Sequence, residues 1–108
     1  MNTELPTVIA DFFVAHNTGQ TSDFASLFAG SAVVRDESHE YRQAAIKQWM
    51  DGAIASYKPI AQTTDVTTEG DQTIVTAQVS GNFPGSPTQL RYRFTVRDAK
   101  IASLSIGP

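Results

Sequence analysis

At 108 residues the chain is a single domain, 1–108, long enough for one core and too short for two. With 41% hydrophobic and 18% charged residues it has the balance of an ordinary globular protein. A net charge of −3 argues against a general nucleic-acid binder, which needs a basic surface to release counterions. The absence of cysteine excludes a disulfide framework, a thiolate metal site and a cysteine nucleophile, and it fits a cytoplasmic setting.

The first predicted element is a helix. Thr3 can cap it, Glu4 stands in its first turn, and Pro6 is tolerated there because early amides lack intrahelical partners. Leu5, Ile9, Phe12 and His16 recur near helical spacing, Val8 and Phe13 widen the stripe, and Asn17-Thr18-Gly19 ends it. Thr21 or Ser22 caps a second, shorter helix that carries Phe24, Leu27 and Phe28 inward and stops at Ala29-Gly30.

A short apolar strand over 32–36 follows and ends on a carboxylate, Asp36; a polar turn comes next, with His39 in it. Residues 43–57 then form the clearest helix. Ile46, Trp49, Met50, Ala53, Ile54 and Tyr57 share one face, and Pro59 prevents its extension. Beyond Ile60 the period changes to that of strands. Residues 60–68 are polar and threonine-rich, and Glu69-Gly70-Asp71 makes a turn. Thr73, Val75, Ala77, Val79, Gly81 and Phe83 alternate with polar residues, Ile74 being the one exception, and Pro84-Gly85 turns the chain. The next strand sets Leu90, Tyr92, Phe94 and Val96 against Gln89, Arg91, Arg93, Thr95 and Arg97. A last strand covers 101–106.

Helices first and hairpin-linked strands after predict an α+β domain: a curved antiparallel sheet with helices on one face and the 32–36 strand at or near an edge. No run approaches the roughly 20 apolar residues that span a bilayer, and Met1 to Pro6 lack the basic start of a signal peptide, so no membrane partner is expected. His16 and His39 are the only histidines and have no metal-ligand spacing. No glycine-rich phosphate loop exists, so neither a metal nor a nucleotide cofactor is expected.

Four segments carry a resemblance: Phe24-Ala25-Ser26-Leu27-Phe28-Ala29, Ala32-Val33-Val34-Arg35-Asp36, Ala44-Ala45-Ile46-Lys47-Gln48-Trp49 and Ser80-Gly81-Asn82-Phe83-Pro84-Gly85-Ser86-Pro87. In this order the chain, from Phe12 to Ile106, resembles the nuclear transport factor 2-like superfamily, within it the small SnoaL-like and ketosteroid isomerase-like proteins. The resemblance implies a cone-shaped (cystatin-like) fold in which the sheet wraps the helices around an apolar pocket. It also implies a small hydrophobic, oxygenated ligand and pairing of two copies through the outer sheet face, with no cofactor. Fold alone does not fix activity in such a group.

Asp36 matches the family's proton-shuttling carboxylate after the first strand, which implies a general acid/base role; the alternative is a loop acid, solvated or paired with Arg35 or Arg42. His39, just after it, could serve as a second acid/base. The family's first-helix tyrosine is replaced by Phe12, and the protonated acid of a late strand by Tyr92, so an ordinary ketosteroid isomerase is not expected. Gln43 stands where a glycine commonly precedes the helix. Phe12, His16, Trp49, Tyr57, Phe83 and Tyr92 are the expected pocket-lining residues, and Arg91, Arg93 and Arg97 the expected interface row. Two functions follow: a cofactor-independent isomerase or cyclase using Asp36, or a non-catalytic ligand-binding or dimerisation module.

Overall fold

The computed structural model describes residues 5–108. The expected cap Thr3 and first-turn Glu4 lie outside the described residues. The elements are α1 (Thr7–Thr18), a one-turn 3-10 helix (Phe24–Leu27), β1 (Phe28–Asp36), β2 (His39–Arg42), α2 (Ala44–Tyr57), β3 (Ile60–Glu69), β4 (Gln72–Ser80), β5 (Thr88–Arg97) and β6 (Lys100–Gly107). Pro6 precedes α1, and its carbonyl accepts the amides of Ile9 and Ala10. Gly19, at φ 79°, closes the helix by donating to Ala15 O at 2.9 Å.

Two local expectations are corrected. The second helix is only the turn Phe24–Leu27, because Phe28 leaves it to pair with Ile101 on β6. One turn cannot repay helix nucleation, whereas joining the sheet satisfies the backbone. The polar turn after Asp36 is a tight hairpin: Glu37 and Ser38 both take positive φ, and His39–Arg42 returns antiparallel on β1. His39 is therefore a strand residue.

The six strands form one sheet in the order β2-β1-β6-β5-β4-β3, antiparallel except for β1 beside β6, which runs parallel. β1 is thus one strand from the edge. Register breaks between Thr63 and Asp65 on β3 and between Thr95 and Val96 on β5 mark bulges, the devices that bend a sheet. The concave face packs on the helices. Phe12 sits at the centre, fully buried, with Phe13, Phe24, Phe94, Tyr92 and Phe28 at centroid distances of 5.1, 5.6, 5.3, 6.1 and 6.4 Å.

Gly81 shows why the loop after β4 reads as it does. A Cβ there would stand 2.6 Å from the Tyr57 carbonyl and about 3.1 Å from the Phe83 ring. Only glycine lets this loop close on the end of α2, where Asn82 N–H donates to Tyr57 O at 2.7 Å. No helix among the described residues is long and apolar enough to cross a membrane.

Candidate functional site

Register places the candidate residues on one transverse row of the concave face. Val66, Val75, Tyr92, Ile106, Asp36 and His39 are successive partners across β3, β4, β5, β6, β1 and β2. Asp36 and Tyr92 therefore flank Ile106, two strand spacings or about 10 Å apart at the backbone.

Asp36 is half-buried at the end of β1. Strand alternation sends its neighbour Arg35 to the opposite face. There Arg35 pairs with Glu40 at 3.0 Å, and Arg42 pairs with the same carboxylate at 3.0 Å. The two guanidiniums, Arg42 foremost, hold Glu40 below the usual carboxylate range. Both arginines that could have neutralised Asp36 are thereby taken, and Asp36 makes no ion pair among the described residues. One of its oxygens, Oδ2, accepts the Trp49 indole N–H at 3.0 Å; the other accepts no hydrogen bond there. Trp49 is held by stacking on Tyr41 (5.9 Å, 28°), and Tyr41 stacks on His39 (6.5 Å, 28°). His39 is exposed, with Nδ1 3.0 Å from the Glu37 carbonyl, which leaves Nε2 open.

Tyr92 is 2% exposed, with its hydroxyl 3.4 Å from Nε2 of His16, which is itself buried. Burial, and secondarily the charge of Asp36, raise the phenol well above its ordinary pKa; burial lowers that of His16. His16 Nδ1 lies 2.8 Å from Asn17 Oδ1.

The remaining candidates are dispersed. Phe12 is core, and Phe83 packs half-buried with its ring 5.9 Å from Tyr57. Tyr57, last on the apolar stripe of α2, is 45% exposed. Arg91, Arg93 and Arg97 alternate with the core residues of β5 and so face away from it, Arg93 half-buried beside Ile74. Ile74 is buried on this outer face although it is not part of the core. Two recesses open beside the helices. One of about 250 Å³ is lined by Asp11, Val14, Phe24 and Leu27; another of about 470 Å³ by His16, Gly19, Ile54, Lys58, Pro59 and Ile60. Asp36 lines neither. No cluster of three potential metal ligands occurs among the described residues.

Sequence reasoning did not single out Tyr41, Asn17 or Ile106 as parts of the site. A signal for Tyr41 was present: His39 and Tyr41 alternate with Glu40 and Arg42 in the period of a strand.

No protein-family model and no curated protein matches the sequence. Solved structures do. A candidate polyketide cyclase from Sinorhizobium meliloti is 38% identical, with a TM-score of 0.90 over 95% of this chain and 95% of that one. A hypothetical protein of ketosteroid isomerase-like fold from Catenulispora acidiphila, solved with trimethylamine, is 18% identical (TM-score 0.82; 97% and 87% covered). A nuclear transport factor 2-like protein of unknown function from Cytophaga hutchinsonii is 14% identical (TM-score 0.77; 99% and 93% covered). The last two speak to fold alone. The chain belongs to the nuclear transport factor 2-like superfamily.

Proposed function

We propose that the protein binds a small hydrophobic, oxygenated molecule against the concave face beside Asp36. There it moves a proton at carbon without a cofactor, as an isomerase or cyclase does. The observation that carries this reading is the state of Asp36: half-buried, free of ion pairs among the described residues, and held through one oxygen by Trp49 so that the other is presented to a ligand. The free oxygen takes a proton from a carbon next to a carbonyl and returns it elsewhere on the same molecule. The indole N–H keeps the carboxylate in place while it does so. His39, across the hairpin from Asp36 with Nε2 open, exchanges protons with solvent. The 38% identity to a candidate polyketide cyclase supports an isomerase or cyclase class.

The test uses 2-tetralone, a ten-carbon enolisable ketone, in heavy water, with deuterium uptake next to its carbonyl followed by NMR. Wild type should exchange faster than buffer. Asp36→Asn should lose about 100-fold or more, the scale of a general base, while ligand-induced shifts in the protein spectrum persist. Exchange unaltered by Asp36→Asn retires the catalytic reading.

A second reading, a non-catalytic ligand-binding or dimerisation module, is favoured by the aromatic rings that occupy the interior around Phe12. Under it every function survives Asp36→Asn. Both readings include a homodimer through the outer sheet face, where Arg91 and Arg93 lie with Ile74 and the serines and threonines of β4 and β6. Native mass spectrometry reports the subunit number and any ligand carried through purification.

A further inference from the structure

The outer face of the sheet carries a charge pattern that the core does not explain. Residues paired across antiparallel strands share a face, so the register with Ile74, Thr76 and Gln72 of β4 puts Thr67, Asp65 and Glu69 of β3 on this side. The same β4 residues bring Arg93, Arg91 and Thr95 of β5 there, and alternation along β5 adds Arg97. β4 itself bears no charge between Gln72 and Ser80. On this face, then, β4 lies between an acidic neighbour and a basic one.

Within one copy these charges do not meet. Asp65 and Arg91 share a row but flank Thr76, about 10 Å apart at the backbone. Asp65, Glu69, Arg93 and Arg97 make no ion pair among the described residues, and Arg91 reaches only the Pro108 main-chain oxygen at 3.5 Å. Asp65, Glu69 and Arg91 are exposed.

A second copy can bring them together. Two identical sheets that meet face to face have their two-fold axis between the sheets, and every contact across it occurs twice. With the axis along β4, the β5 of each copy lies over the β3 of the other and the rows stay in step. Asp65 then faces the partner's Arg91, and Glu69 falls between the partner's Arg93 and the partner's Arg97. Other axes set like charges together. One across the strands at Ile74 places Asp65 on the partner's Glu69; one along β5 lays arginine on arginine; one along β6 brings Arg93 over the partner's Arg35.

We propose that two copies of this chain pair about an axis along β4, with Asp65 and Arg91 in contact in both directions across it. The proposal rests on the homodimer reading and adds to it the axis and the ion pairs.

Three measurements decide it. Native mass spectrometry of the wild type should show a dimer; a monomer retires the homodimer reading and the axis with it. Asp65→Arg and Arg91→Asp, both at exposed positions, should each weaken self-association by about tenfold or more, because each sets like charges across the axis twice. Mixed one to one, the two variants should form a heterodimer of near wild-type affinity, each contact being restored with its ends exchanged. The chain has no cysteine, so Thr76→Cys, on the axis, should cross-link to itself under mild oxidation, while Thr67→Cys, which faces the partner's Arg93, should not. A dimer that neither reversal weakens, a mixture that stays monomeric, or cross-linking through Thr67→Cys and not Thr76→Cys overturns this axis and leaves the homodimer reading standing.

Discussion

Arg35 and Asp36 are chain neighbours on opposite faces of one sheet, and this separation leaves the acid available. Glu40 collects Arg35 and Arg42 on the far side of the hairpin, so the nearest cations never reach Asp36. His16 carries a testable cost of a different kind. Its folded pKa lies below the ordinary 6.5, so the unfolded chain binds a proton there before the folded protein does. The stability that neutral His16 contributes is therefore complete above pH 6.5 and is lost as pH falls from that value through the folded pKa. Urea unfolding at about pH 7.5 and about pH 5.5 should show a fall in midpoint for wild type and a smaller one for His16→Gln. At this scale Asp36 was legible from its place after an apolar strand, but its Trp49 partner was not paired with it. The two lie 13 positions apart in the chain, and only the β1–α2 packing brings them to 3.0 Å.

At the scale of elements, the entry to α2 bears a strained residue. Gln43 takes φ 54° and ψ −130°, a region that glycine occupies without penalty, and it is where the resemblance leads one to expect glycine. Gln43→Gly should raise stability by about 1 kcal/mol, the relief of strain exceeding the added freedom of the unfolded chain, read as a higher urea midpoint with unchanged slope. Helix α2 and strands β4 and β5 were legible because their apolar periods are regular over many residues, and the polar, threonine-rich β3 because β-branched residues fill it between Pro59 and the Glu69-Gly70-Asp71 turn. The Phe24–Leu27 turn and β2 were not, for opposite reasons. Phe24, Leu27 and Phe28 have helical spacing, yet pairing of Phe28 with Ile101 outweighs it. The four residues of β2 are half charged, and their strand form depends on the β1 edge beside them.

Across the whole molecule, the sheet order explains why an acid from the first strand and a tyrosine from the fifth share a row. β6 stands third in the sheet, between β1 on one side and β5 on the other, and is the last strand in chain order. Periodicity could reveal the strands but not this insertion, because a parallel pairing between first and last strands leaves no local trace. It also imposes an order on synthesis. Until β6 is made, the β1–β2 hairpin and the β3–β4–β5 meander are two separate pieces, each with an unpaired edge, and Asp36 has no row to belong to. Purified chains ending before Lys100 should remain open to protease along β1, and chains carrying all of β6 should be resistant. The carboxylate and the phenol therefore become neighbours only when the final strand slides between them, and a chain that loses it exposes two sticky edges at once.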